Sequence, residues 1–201
     1  MALIVELWEK HLEPILVPLW DSLLVWRTLA LVLVSLAGAA FVYRDKVLHL
    51  LQRHKYLEHD RGVFGRGDGI LPEEFVYDTL DILESDHSST SESFRQMVDF
   101  ERFYDLEANR FLDPRLDSAA KRLSDAIGQL THFIAYNFFP FPSGSNRTCM
   151  YPALNIDREG DGSPEEKTKY DKYTSELLQL TVAVRAGYRT YRSAVKKRLL
   201  Q

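Results

Sequence analysis

Thr28–Tyr43 reads TLALVLVSLAGAAFVY, sixteen residues without a charge or a proline, and no other run in the chain is like it. Counted back to Leu23, with Arg27 as its one charged interruption, the apolar stretch approaches the roughly 20 residues of a membrane helix. Sixteen residues rising about 1.5 Å each cover about 24 Å, short of a hydrocarbon core of about 30 Å. Arg27 closes that gap if its head group extends to the interface. A core helix of a soluble domain has a similar composition. A cleaved signal fits less well, because Glu6, Glu9, Glu13 and Asp21 precede the run where a basic start belongs. The reading is a retained membrane anchor.

The flanks set an expected orientation. Arg44, Lys46, Arg53 and Lys55 follow the run, whereas four acids and Lys10 precede it. Positive flanks stay on the cytosolic side. The expectation is a single-pass protein of the cell (inner) membrane with its N-terminus outside and its C-terminal domain in the cytoplasm. Residues 1–22 read as an amphipathic interfacial segment: Leu3, Ile4, Leu7, Trp8 and Leu12 recur near helical spacing. Pro14 and Pro18 are expected to interrupt it, and Trp20 and Trp26 suit the interface. In a second arrangement this segment enters the bilayer. Asp21 and Arg27 then lie at membrane depth, where charges pair or line a path.

Residues 23–58 read as the membrane helix and a stalk, and 59–70 as a glycine-rich hinge, because Gly62, Gly65, Gly67 and Gly69 are expected to break the helix. Residues 71–201 form the expected cytosolic domain, large enough for one compact unit. Leu71-Pro72-Glu73-Glu74 signals a helix start with Pro72 in the first turn. Phe75, Leu80 and Leu83 mark the inner face of that helix. Ser89 with Glu92 matches a capping box for a helix running to about Leu112. Asp113-Pro114 matches a cap and first residue. Leu116, Ala119, Leu123, Ala126, Leu130, Phe133 and Asn137 make one stripe. Ser163-Pro164-Glu165-Glu166 opens another helix, with Tyr173, Leu177, Leu180, Val184, Tyr188, Tyr191, Val195 and Leu199 as its stripe. The expected fold is all-α: membrane helix, stalk and small helical bundle. Thr148 to Asn155 has room for a short strand.

Chemistry-bearing motifs are sparse. The net charge of −4 carries no global nucleic-acid signature, and Cys149 is the sole cysteine, so no intrachain disulfide forms. The long loop at 138–162 holds Phe138-Phe139-Pro140-Phe141-Pro142, read as a lid over the core or as a stacking surface. Its Asp157, Glu159, Asp161 and Gly162 imitate a calcium loop, but Thr168 stands where the bidentate Glu belongs. His59, Asp60 and Arg61 read as an ion-pair network between stalk and bundle; a hydrolase reading lacks an identifiable nucleophile. No metal, cofactor or catalytic residue is assigned.

Arg185, Arg189, Arg192 and Lys196 recur at helical spacing, flanked by Tyr188 and Tyr191, and no acid occurs between Leu177 and Gln201. Arg binds phosphate in a bidentate way and stacks on bases. Three uses are open: an anionic nucleotide or oligonucleotide, anionic membrane lipid, or pairing with the acidic helix of Asp78, Asp81, Glu84 and Asp86. In the membrane run, Ser35, Gly38 and Ala39 are small enough for close helix approach, which suggests a homo-oligomer.

In layout the chain resembles the small membrane effectors of bacterial anti-phage signalling, with a short N-terminal membrane segment and a helical sensor behind it. The resemblance implies a non-enzymatic, oligomeric, channel-like effector that answers an anionic signal. The alternative is a membrane-tethered helical adaptor that recruits a protein partner.

Overall fold

Helical periodicity becomes real packing across most of this chain. The computed structural model describes the backbone of residues 13–199. Side chains are described from Val25 to Leu199, except at Ala40, Asp45, Val47, His49, Leu50 and Leu51. The expected interfacial helix before Glu13 lies outside the described residues, as does the side chain of Asp21. The protein is mostly helical and separates into two units, Met1–His54 and Lys55–Gln201.

Helix α1, Glu13–Ile70, begins in the first unit. Pro14 and Pro18 do not interrupt it. Pro14 stands in the first turn, where amides have no intrahelical partner in any case, and Pro18 forgoes one bond close to that end. Val25–Arg44, 20 residues, is long and apolar enough to cross a membrane, and none of it is buried. A signal sequence near an N-terminus meets the same test of length and composition. Leu31, Val32, Leu33, Val34 and Leu36 are all exposed, so the apolar surface runs around the helix rather than along one stripe. Arg27 is exposed as well. Ser35 donates to the carbonyl of Leu31 at 2.7 Å, and Gly38 has open space where a Cβ would point.

The expected glycine break does not occur. α1 stays helical through Gly62, Gly65, Gly67 and Gly69 to Ile70. Glycine lowers helix propensity by about 1 kcal/mol, and tertiary packing outweighs that cost here. Val63 and Leu71 are buried, with Leu57, Phe64 and Ile70 packed against the same core. At Gly67 an added Cβ would lie 3.5 Å from Phe103 and 3.7 Å from Phe100, so the missing side chain brings α1 close to those rings.

Within the second unit follow α2 (Glu73–Asp86), β1 (Ser88–Thr90), α3 (Ser91–Asp105), a 3-10 turn (Glu107–Asn109) and α4 (Pro114–Asn137). β2 (Phe138–Pro140), β3 (Arg147–Met150), a second 3-10 turn (Pro152–Leu154) and α5 (Pro164–Leu199) complete it. Two caps match expectation. Asp113 accepts from the Arg115 amide at 2.8 Å ahead of Pro114, and Ser163 accepts from the Glu166 amide at 3.2 Å. Two differ. Pro72 is itself the cap of α2. Thr90, not Ser89, caps α3 by accepting from Ser93, because Ser89 is drawn into a strand. α3 also ends at Asp105, short of Leu112.

The core joins Leu80 and Leu83 of α2, Met97 and Phe100 of α3, Leu116, Leu123, Ile127 and Leu130 of α4, and Leu177, Val184, Tyr188 and Val195 of α5. α4 and α5 pack closely at Gly187, where an added Cβ would lie 3.4 Å from the Leu123 Cα. The all-α expectation needs one correction. β1, β3 and β2 form an antiparallel three-stranded sheet in that order, with Ser89 opposite Thr148 and Phe139 opposite Cys149. Strands of three or four residues are too short for alternation to show in sequence. The sheet occupies part of the supposed loop, burying Phe138 and leaving Phe139 exposed.

The end of α1 is tied down by three consecutive side chains. These ties are hydrogen bonds to backbone, not the expected ion pairs. His59 Nε2 lies 3.0 Å from the Arg110 carbonyl, and Arg61 donates twice to the Leu199 carbonyl at 3.1 and 3.0 Å. Asp60 is buried, and its two oxygens accept from the amides of Leu112 (2.7 Å) and Asp113 (3.0 Å). Asp60→Ala leaves both amides without that acceptor, an expected loss of about 2–6 kcal/mol at about 1–3 kcal/mol per orphaned group. Asp60→Asn, which keeps one acceptor oxygen, should fall between Ala and the natural chain. Urea unfolding of the full chain in detergent, followed by tyrosine near-ultraviolet circular dichroism, measures both.

Candidate functional site

The basic stripe of α5 divides when the helix packs. Arg185 Nη2 bonds Asp81 at 2.8 Å and Glu84 at 3.1 Å, with its guanidinium 5.5 Å from the Tyr77 ring. Arg192 pairs with Asp68 and, at 3.1 Å, with Glu73. The pairing alternative therefore describes these two arginines, with Asp68 and Glu73 added to the expected acids. Asp86 is engaged elsewhere, by Arg147 and Arg158. Tyr188 is 1% exposed and edge-on to Tyr77, so it presents no stacking face. Burial pushes its phenol and that of Tyr191 well above the ordinary tyrosine range. Arg189 and Lys196 remain exposed.

Arg189 instead joins a second set of cations. A groove of about 490 Å³ between the start of α4 and the end of α5 is lined by Arg115, Arg189, Thr190, Ser193, Lys197 and Arg198. Arg198 lies 3.6 Å from Asp113. The side chains of Arg115, Arg189 and Lys197 have no carboxylate partner among the described residues. Lys197 and Arg198 suit the negative end of α5, but Arg115 sits at the positive end of α4, where a cation is disfavoured. The groove thus concentrates positive charge that a bound anion would relieve. Lys196 is not part of its lining. Sequence spacing along α5 missed Arg115, which lies on another helix. Its signal was a cation directly behind the Asp113-Pro114 start, where acids are the norm.

At the sheet edge lies a polar cluster. Asp86 joins Arg147, Arg158 at 3.3 Å and the Ser88 hydroxyl at 2.6 Å. Arg158 also donates to the Asp86 carbonyl and to Cys149 Sγ, both at 2.8 Å. Beside it, His87 caps α2 in the left-handed region at φ 48° and meets the Tyr170 hydroxyl at 2.7 Å through Nδ1. Asn155 donates to the same hydroxyl at 3.0 Å. The cluster binds α2, the sheet and α5 together. Among the described residues no group of three His, Cys, Asp or Glu side chains is placed to hold a metal. No family model, curated protein or solved structure matches the chain.

Burial, and then the neighbouring Arg158 guanidinium, hold the His87 imidazole below the ordinary histidine range. The unfolded chain therefore takes up this proton first as pH falls. The contribution of neutral His87 is complete above about pH 6.5 and is lost as pH falls below that value toward the lower one of the folded state. Thermal unfolding at pH 7.5 and 5.5 should show a drop in the natural chain that is smaller in His87→Asn, since Asn also tolerates the left-handed backbone.

Proposed function

We propose that the chain is a membrane-anchored, non-enzymatic effector whose Lys55–Gln201 unit binds a phosphate-bearing anion, a nucleotide or oligonucleotide. The groove of Arg115, Arg189, Lys197 and Arg198 carries this reading. Guanidinium forks match phosphate oxygens bidentately, and the adjoining Thr190 and Ser193 hydroxyls supply neutral donors. Val25–Arg44 serves as the span, and its unpartnered apolar surface supports that role. Arg44, Lys46 and Arg53 on its C-terminal side favour a cytosolic domain. Ser35, Gly38 and Ala39 provide a small-residue face for assembly in the bilayer, so that ligand binding controls a homo-oligomeric, channel-like membrane segment. The proposal is the anti-phage effector layout with its anion site moved off the Arg185–Lys196 stripe and into the groove.

Full-length protein in detergent should bind a fluorescein-labelled single-stranded oligonucleotide. The affinity should fall with salt at a log–log slope no steeper than about −3, the value for four cations on a single strand. Arg189→Glu/Lys197→Glu should abolish binding without changing the unfolding midpoint. In dye-loaded liposomes the natural chain should release dye on oligonucleotide addition. Unchanged binding by the double variant, or no ligand-dependent release, contradicts the proposal.

A further inference from the structure

A second groove lies at the other end of the α4–α5 pair, with the opposite charge. It encloses about 790 Å³ between α3, α4 and α5, and its lining includes Glu101, Asp105, Ser124, Asp125, Tyr136 and Glu176. Asp125 is paired with Lys121 at 3.0 Å. Glu101, Asp105 and Glu176 have no cationic partner among the described residues. Ser124 is 5% exposed, and its hydroxyl opens onto the groove, where it offers a neutral hydrogen-bonding group. Tyr136, exposed and tilted against His132 at 4.6 Å between ring centres, offers an aromatic face to an incoming cation.

The two grooves cannot neutralise each other within one chain. Arg115 and Gln129 are separated by about 21 Å along α4, and Glu176 and Ser193 by about 26 Å along α5, at 1.5 Å per residue. Both spans exceed the screening length of about 8 Å at physiological salt. Three uncompensated cations in one groove thus face three uncompensated carboxylates in the other only when two chains meet. We infer that the acidic groove is the seat for the basic groove of a second copy of this chain. The contact is head-to-tail, uses different surfaces on the two copies, and repeats from chain to chain. This inference rests on the reading of the basic groove as an anion-binding surface. It adds that a phosphate ligand and the carboxylates of a neighbouring copy compete for the same cations, so that the ligand controls assembly.

Asymmetric cross-linking of the full-length protein in detergent tests the contact. Gln129→Cys marks the acidic groove and Ser193→Cys the basic one, while the natural Cys149 is fully buried. With a short bismaleimide, a mixture of the two variants should give a cross-linked dimer that neither gives alone. Contact through the membrane helices alone would not produce that asymmetry. Adding Asp105→Lys/Glu176→Lys to the Gln129→Cys copy should abolish the product. Adding Arg189→Glu/Lys197→Glu to the Ser193→Cys copy should then restore it. Tripolyphosphate added before the bismaleimide should prevent the cross-link between natural grooves. A mixture no better than the single variants, a product that survives charge reversal, or failure of the reversed pair to restore it each overturns the docking. If tripolyphosphate binds the chain yet the cross-link still forms in its presence, the shared groove is overturned. If it does not bind at all while the asymmetric product forms, the ligand reading fails and the docking stands.

Discussion

Within the second unit, a buried carboxylate with two backbone amides on its oxygens fixes the end of α1 to the start of α4. Asp60 accepts from Leu112 and Asp113, the residues that lead directly into α4. The bond positions the first turn of α4, where Asp113 also caps the Arg115 amide. Arg115 then faces the end of α5, and Arg61 anchors that end through the Leu199 carbonyl. Without Asp60 the start of α4 loses its anchor, and the basic groove loses one wall. A buried charge is tolerable here because both acceptor atoms are filled by strongly dipolar donors.

Two parts of the second unit separate charge by sign. Carboxylates of α2 and the end of α1 consume Arg185 and Arg192, which leaves those arginines as internal struts. Arg115, Arg189 and Lys197 line a groove at the start of α4 and the end of α5, and Glu101, Asp105 and Glu176 line one beside the far end of α4. The formal net charge of −4 hides this separation. Two grooves of opposite sign on one helix pair are the physical basis both for anion capture and for self-docking.

How much could be read from residues alone follows from the range of each signal. The stripes of α4 and α5 were legible because one helix carries the whole pattern: Leu116, Leu123 and Leu130, and Leu177, Val184, Tyr191 and Val195, are all buried. The caps at Asp113 and Ser163 were legible for the same reason. The continuation of α1 was not. Four glycines argue for a break, and only packing on Phe100, Phe103 and Tyr191 overrules them, although Leu57, Val63, Phe64 and Ile70 carried a helical period through the glycines. Thr148 to Asn155 had room for one short strand, which β3 partly fills, but the sheet's pairing was hidden because β1 and β3 come from segments about 60 residues apart, as Ser89 and Thr148 show. The basic site was legible by type and misplaced by face. Spacing along α5 identifies cations, but only the position of α2 shows which of them are already paired.

Lys55–Ile70 belongs to the folded core of the second unit and is no hinge. Amide hydrogen exchange on the full-length protein in detergent tests it directly. Amides of residues 62–70 should exchange as slowly as those of the buried stretch of α4 around Leu123–Leu130, since both open only when the unit unfolds. Exchange of the 62–70 amides that is orders of magnitude faster, with α4 still protected, would contradict it.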